Sequence, residues 1–542
     1  MCQPIDLIEQ NRQQAKQLDL QAEQIQQLLV RVDELTNGMA LLKEENQQLR
    51  DEIAYLKGQK PRPKIQPSAL EGPKSKDKEK KPRLSRGKHP RKKKKTFLEI
   101  HQEQVIQPTS IPDGAIFKGY KPYDVQDIVF KSSNTRFMLT RWQLPDGTYV
   151  SGEVPRGIHG HYGPELIAYI LNDYYACRVT EPLLLEKLRQ RGVLISEGQL
   201  NNILIHKKDS FHEEKNELLP AGIKAHNQIQ TDDTGGRHKG KNQYTNVIGN
   251  EWFSVFTTTD SKSRANFFRL LQRGKHEYLI NEDATAYLEG LTAPGYLSSY
   301  ISLSQGVKFM TLKAWQEFLA DRNITQEAEV RLVTEAALFA SVIENGIPRD
   351  LGVHGDDAGQ FNAFIRSLCW IHEERHYRKI IPATEQARVD LEQVRDKIWT
   401  IYRDLKVYQE NPNDAAKQAI EKQFDNLFLC MDTTSSTLNK RLRMTHGKKQ
   451  ELLRVLERPD TPLHNNSSES AARAAVTKRK VSGGTRSDAG RDSRDTFLSL
   501  KQTCIKLGIN FIEFLRDRVC GLYEIPPLAQ VIKMRAAQVK RS

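Results

Sequence analysis

Apolar residues recur every seventh position near the start of the chain. Leu18, Ile25, Val32, Met39, Asn46 and Ile53 share one seam position, and Leu28, Leu35, Leu42, Leu49 and Leu56 the other. This repeat predicts a coiled-coil helix within residues 1–57. Asn46, the lone polar residue on the seam, is the usual device for holding two strands in register at some cost in stability. Glu45 with Arg50 and Glu52 with Lys57 would attract across a parallel pair, whereas Gly38 weakens the middle of the helix. Leu28, Leu35, Asn46 and Leu49 are thus expected dimer contacts, and the expected partner is a second copy of the chain.

The pattern then changes three times. Residues 58–96 are rich in Pro, Lys and Ser and almost without large apolar residues, which predicts a disordered linker, taken as 58–110. Over 111–160 a period of two surrounds the turn Leu144-Pro-Asp-Gly147, predicting a small β unit. Over 161–220 the period becomes helical. Leu166, Ile167, Ile170 and Leu171 mark one helix and Leu184, Leu185 and Leu188 a second. Ser196-Glu-Gly-Gln199 is a capping box opening a third. Two helices joined through a short turn at Gly192 match a helix-turn-helix, with residues 197–207 as the recognition helix. Its polar face comprises Asn201, Asn202, His206, Lys207 and Lys208. The same three helices would also serve as a packing unit without DNA.

From 221 to 520 strands and helices mix, predicting an α/β domain. Residues 229–234, 244–248 and 252–257 read as strands, the last two joined through Gly249-Asn250. Asp260-Ser-Lys-Ser then opens a helix carrying Phe267, Phe268 and Leu271. Three acids frame the domain: Asp232 on the first strand, Asp356 after the apolar segment 351–353, and Glu469 at the start of a helix over 467–478. A long helical stretch, about 381–460, reads as an insertion ahead of the glutamate, and 521–542 as a basic tail. Three carboxylates can hold two Mg²⁺ (or Mn²⁺) ions for phosphodiester chemistry, since these hard cations prefer oxygen ligands. Each acid also has a plainer reading. Asp232 and Asp233 can shape a strand exit, Asp356 can cap a helix over 361–368, and Asn466-Ser-Ser-Glu469 can be a capping box.

Charge sharpens the picture. The chain has 542 residues and a formal net charge of +14, and the stretch from Lys57 to Lys95 holds 17 Lys/Arg against 3 Asp/Glu. That basic arm, with Lys92, Lys93 and Lys94, carries the whole excess and implies a polyanionic partner. No segment approaches the roughly 20 apolar residues needed to span a bilayer, and the first residues lack the pattern of a signal peptide. Six scattered cysteines without a C-x-x-C pair fit a reducing cytoplasm.

Several stretches together carry a resemblance. They are Thr231-Asp-Asp-Thr-Gly235, Gly249-Asn-Glu-Trp-Phe253, Thr259-Asp-Ser-Lys-Ser263, Gly355-Asp-Asp-Ala-Gly-Gln-Phe361, Cys369-Trp-Ile-His372, Asn465-Asn-Ser-Ser-Glu469 and Lys478-Arg-Lys-Val-Ser-Gly-Gly-Thr-Arg486. In these the chain resembles DDE transposases of the insertion-sequence-66 type. The resemblance implies a ribonuclease-H-like catalytic core, Asp232, Asp356 and Glu469 as catalytic metal ligands, and metal-dependent strand cleavage and strand transfer at element ends. Double-stranded DNA is the implied partner, with accessory transposition proteins as further candidates and a cytoplasmic, nucleoid-associated location. Lys478, Arg479, Lys480 and Arg486, just beyond Glu469, are placed to grip phosphates or to form a solvated basic loop. The chain departs from the family in one respect: no cysteine lies between Cys2 and Cys177, so the family's zinc-binding segment has no counterpart. Two other readings stand beside this one, a catalytically inactive or domesticated DNA-binding relative and a zinc metalloprotease. The latter rests on His372-Glu-Glu-Arg-His376, which spells H-E-x-x-H, with Glu392 as the nearest third ligand.

Overall fold

The structure is a computed structural model that describes residues 104–106, 131–155, 158, 160–291, 294–362 and 364–539. The chain divides between Pro122 and Tyr123, and the second unit is described here. The expected coiled coil with Leu28, Leu35, Asn46 and Leu49 lies outside the described residues, as does the basic arm with Lys92, Lys93 and Lys94.

The predicted β unit is a hairpin of β1 (Arg141–Gln143) and β2 (Tyr149–Ser151). Asp146 shapes its turn by accepting hydrogen bonds from the Thr148 amide and hydroxyl at 2.9 and 2.6 Å. Helices α1 (Pro164–Leu171), α2 (Glu181–Gln190) and α3 (Glu197–Ile205) follow. The capping box forms as expected. The Gln199 amide donates to Ser196 Oγ at 3.2 Å, and the Ser196 amide to Gln199 Oε1 at 3.0 Å. A further helix, α4 (Asp209–Ala225), leads into the sheet.

Five strands form that sheet in the order β5-β4-β3-β8-β9. They are β3 (Gln228–His238), β4 (Lys241–Gly249), β5 (Ser254–Thr259), β8 (Gly352–Gly355) and β9 (Ile365–Leu368). The first three are antiparallel, whereas β8 runs parallel to β3 and β9 parallel to β8. Two details differ from the sequence expectation. The tight two-residue turn joins β3 to β4, where Lys239 and Gly240 have φ of 49° and 76°, as such hairpins require. Gly249-Asn250 instead begins a four-residue connection, because Asn250 is buried and donates to the carbonyls of Gly222 and Gln228. Residues 365–368 are strand and not helix, so Asp356 does not cap a helix there.

Strand β5 is an edge strand, yet its outward amides are not free. Those of Ser254, Phe256 and Thr258 donate to Thr503 Oγ1, Ser499 Oγ and Asp495 Oδ2 of one buried helix, Asp488–Lys506. Two strand residues advance about 6.6 Å and four helix residues about 6 Å, so an i, i+4, i+8 polar row matches the strand's period. The row closes an edge that would otherwise invite pairing with another chain.

Between β5 and β8 lie α5 (Arg264–Leu271), α6 (Glu282–Gly290), α7 (Gly295–Ser302), α8 (Leu312–Asp321) and α9 (Glu327–Glu344), with a short ladder of β6 (Tyr278–Leu279) and β7 (Lys308–Phe309). After β9 come α10 (Trp370–Arg378) and, over the stretch read from the sequence as an insertion, α11 (Glu385–Glu410), α12 (Asp414–Phe428) and α13 (Ser436–His446). The insertion buries its own core around Leu405, Phe424, Phe428 and Leu442, and Trp370 and Tyr377 of α10 pack into it. Helices α14 (Asn466–Ser482), α15 (Asp488–Lys506), α16 (Phe511–Cys520) and α17 (Leu528–Val539) complete the unit. The expected tail over 521–542 is therefore largely α17, which buries Leu528, Ile532 and Ala536 and packs on α4.

The return from the insertion is pinned electrostatically. His226, at the end of α4, places Nδ1 2.8 Å from Glu251 Oε1 and Nε2 2.9 Å from Asp460 Oδ2. The bond to Glu251, aided by Asp460 against the opposing effect of burial, pushes the imidazole up to about 9. A folded value above the unfolded one, about 6.5, means that the stabilisation is complete below pH 6.5 and disappears as pH rises through about 9. His226→Ala is expected to cost about 1–2 kcal/mol at pH 6, a figure discounted for the two half-exposed carboxylates. At pH 10 the variant and the parent should unfold alike in denaturant titrations.

Candidate active site

The three acids come from three elements. Asp232 lies in the middle of β3, opposite Val247 of β4. The parallel register pairs Gln230 with His354, and two more residues along each strand bring Asp356, just past the end of β8, alongside Asp232. Glu469 stands in the first turn of α14. That helix turns Ala471, Ala472, Ala474 and Ala475 toward Val247, Phe256 and Leu498, and small side chains let it lie close on the sheet. The structure thus brings Asp356 and Glu469 to Asp232, past the end of β8 and beside the middle of β3.

Burial raises the Asp232 carboxyl to about 6. The Asp233 amide, 2.8 Å from Oδ1, opposes the rise, and the like charges of Asp356, Asp233 and Glu469 add to it. The neighbouring acids are differently placed. Asp233 is paired with Lys262 and accepts from Gln360 Nε2 at 2.7 Å. Asp357 is paired with Arg366 at 2.9 Å and with Lys448. Burial opposes ionisation of Asp357, but these two cations hold its carboxyl below the ordinary value. Among the described residues no ion pair includes Asp232 or Asp356. In each Asp-Asp pair, then, one acid has cation partners from the protein and the other has none among the described residues.

Glu469 has partial partners. Its Oε1 lies 3.5 Å from both His372 Nε2 and Arg375 Nη1, and Oε2 lies 3.8 Å from Arg473 Nη2. None of these is a hydrogen bond, and Oε1 is a buried oxygen with its hydrogen-bonding capacity unfilled. The capping-box reading of Glu469 fails: Asn465 caps α14 without a side-chain bond, and Glu469 is the fourth residue of the helix. Among the described residues no group of three Asp, Glu, His or Cys side chains stands in metal-holding geometry. The donor set fits a hard divalent cation nonetheless. It is all oxygen, one member has an unfilled buried acceptor, and ionisation of another is opposed by burial and then by its acidic neighbours.

Beneath the acids His354 is fully buried with Nδ1 3.0 Å from Ser367 Oγ. Burial, with His464 and His372 nearby, pushes its imidazole down to about 3, so it is neutral. The H-E-x-x-H reading of α10 fails on geometry. Glu373, the required base, is buried and bonded to Arg441 and to Thr445 Oγ1, the latter at 2.6 Å. Glu392 lies on the surface of α11 in a pair with Arg388.

Of the expected DNA contacts, Lys480, Arg486, Asn202 and Lys207 are exposed. Arg479 is half-buried, with Nη1 3.3 Å from Thr234 Oγ1. Lys478 departs from expectation. It is 2% exposed, donates to the Tyr174 carbonyl at 2.6 Å and sits over the Tyr174 ring, and burial brings its ammonium down to about 7. It ties α14 to the segment after α1 and does not reach solvent. Helix α3 ends at Ile205 and not at 207, so His206, Lys207 and Lys208 lie beyond it. Asn201 donates to Glu181 Oε1 at 3.3 Å and Lys208 is buried, leaving a narrower polar face than the sequence implies. Sequence reasoning missed Lys262, Gln360 and Arg375, whose partners lie far away in the chain. Arg473, four residues from Glu469, was within reach of the i, i+4 rule.

The family model described as "Transposase IS66 family" matches residues 357–493. That stretch takes in α10, the insertion and Glu469, begins one residue after Asp356 and omits Asp232. The chain is also similar to a protein of Sinorhizobium fredii, "Uncharacterized protein y4jO". The two are 40% identical over 323 residues, which is 59% of this chain and 100% of the relative. No solved structure matches the chain. Among the described residues no helix is long and apolar enough to cross a membrane. With a relative matched along its whole length and the family's pattern running through the helix that carries Glu469, the chain belongs to the transposase IS66 family.

Proposed function

We propose that this chain is a DDE transposase with a ribonuclease-H-like core, which cleaves DNA strands at the ends of an insertion sequence and joins them to target DNA. The observation that carries the reading is the selective lack of cation partners: Asp232 and Asp356 remain unpaired beside each other while Asp233 and Asp357 are neutralised. Strand order supports the fold, with three antiparallel strands, two parallel ones, an acid on the first and another just past the end of the fourth.

Asp232, Asp356 and Glu469 would hold Mg²⁺ or Mn²⁺, two ions in all, supplying activation of the attacking oxygen and stabilisation of the leaving one in an in-line displacement. Glu469 contributes by turning from Arg375 and His372 toward the two aspartates. Arg375 of α10, Arg473 of α14 and Lys262 of the loop before α5 rim the acids, and their charges suit the phosphates flanking the scissile bond. Asn202 on the exposed face of α3, with Lys207 just beyond the helix end, supports a helix-turn-helix that reads base edges. The basic arm adds sequence-independent affinity, and the heptads add a homodimer. Both lie outside the described residues.

The test uses the full chain and DNA carrying the sequences that flank its own coding region. Cleavage leaving a 3′-hydroxyl is expected with Mg²⁺ or Mn²⁺ and none in EDTA. Tight binding without cleavage in either metal would favour the inactive, DNA-binding relative.

A further inference from the structure

Asn465 caps α14, yet its side chain makes no capping bond. A helix N-terminus leaves several amides without intrahelical partners, and asparagine is among the residues best suited to satisfy one of them. Here Nδ2 donates instead to the Thr231 carbonyl at 2.8 Å, and since a carbonyl only accepts, the amide group must face it. Thr231 immediately precedes Asp232.

The other bonds of Asn465 lead to the other two acids. Its own amide donates to Cys369 Sγ at 3.3 Å, and the Cys369 amide donates to the Gly355 carbonyl at 3.0 Å. Gly355 immediately precedes Asp356. The Asn465 carbonyl accepts from the Glu469 amide at 3.0 Å. A side-chain donor, a main-chain donor and a main-chain acceptor of one residue therefore lead to the backbone next to all three acids. The node is dry and tight. Asn465 and Cys369 are each 1% exposed and Thr231 is 0% exposed, and a Cβ added at Gly355 would meet Thr231 Oγ1 at 2.8 Å.

We infer that Asn465 is a positioning residue that sets the spacing of Asp232, Asp356 and Glu469, with Cys369 as its relay to Asp356. The inference rests on the proposed role of the three acids as metal ligands. Groups that orient a metal ligand typically govern affinity by 10- to 100-fold, and here the orienting group acts through main chain and not through the carboxylates themselves.

Mn²⁺ alone, titrated into the full chain and followed by the electron paramagnetic resonance of the free ion, is the probe. Asn465→Ala is expected to bind Mn²⁺ about 10- to 100-fold more weakly while keeping its circular dichroism spectrum and DNA affinity. Cys369→Ala should weaken binding in the same direction, and Cys369→Ser, which keeps an acceptor, should restore most of it. Cleavage by Asn465→Ala should recover as Mn²⁺ is raised, which loss of fold alone would not allow. Wild-type Mn²⁺ affinity in a folded Asn465→Ala overturns the inference and leaves the metal reading intact. If Asn465→Ala does not fold, equal affinity in Cys369→Ala and the wild type overturns it. Collapse of both alanine variants would assign the node to folding alone. A wild-type chain that binds no Mn²⁺ removes the metal reading, and this inference with it.

Discussion

Asp232→Asn, Asp356→Asn and Glu469→Gln are each expected to lose strand cleavage and joining by on the order of 10³-fold or more, with DNA binding unchanged. The size follows from the charge that the reacting phosphate develops, since removing a single group aimed at such charge costs about 10²–10³-fold. Losing one of three carboxylates weakens the site's hold on both ions. Asp233→Asn and Asp357→Asn serve as controls and should stay within about 10-fold of the parent. Their carboxylates already serve Lys262, Gln360, Arg366 and Lys448. A further sign distinguishes the two sets. The Asp232 carboxyl is raised to about 6 in the folded chain, so folded protein holds this proton more tightly than unfolded chain, whose value is about 3.9. The residue's unfavourable contribution is absent below pH 4 and complete above about pH 6. In metal-free protein Asp232→Asn should therefore be the more stable form at pH 7.5, by roughly 1–2 kcal/mol, and equal to the parent at pH 4. Asparagine keeps the Oδ1 acceptor for the Asp233 amide, so the strand is undisturbed. Full activity in Glu469→Gln would sink the triad.

Glu373→Ala is expected to destabilise the protein by about 3–5 kcal/mol, the usual cost of removing one partner of a buried ion pair. Glu373 is 4% exposed, and its loss leaves the Arg441 guanidinium without its carboxylate between α10 and α13. Thr445 and Lys448 lose an acceptor as well. Urea unfolding followed by circular dichroism checks this, and unchanged stability would contradict it. The same variant separates the two meanings of His372-Glu-Glu-Arg-His376. In a zinc protease the glutamate is a base, and its replacement would abolish peptide hydrolysis while sparing the fold.

The H-E-x-x-H pattern illustrates what a short motif leaves open. Its spacing places both histidines on one side of a helix, but only the packing of α10 against α13 decides that the glutamate faces Arg441. The acids illustrate the reverse. Their placement on a strand, a strand end and a helix start was legible, because a period of two, an apolar run and an alanine-rich helix are local signals. Asp232 could not be separated from Asp233 in the same way. The partners that set Asp233 and Asp357 aside include Gln360 and Lys448, 127 and 91 residues distant.

Taken alone, the sequence placed the capped helix at Ser196, the antiparallel strands, the run of helices ahead of Glu469 and the three acids. These follow from interactions between residues at most four apart, where propensity, capping and hydrophobic period act without reference to the rest of the chain. Tertiary structure alone decided which aspartates receive cation partners, that Lys478 is buried against Tyr174, that α15 closes the edge of β5, and that Asn465 joins the three acids. Asn465 meets Thr231 across 234 residues, and no periodicity records such a contact. It exists because a buried amide and a buried carbonyl must each find a partner once the helix lies on the sheet, and the path of the chain determines which partner is there.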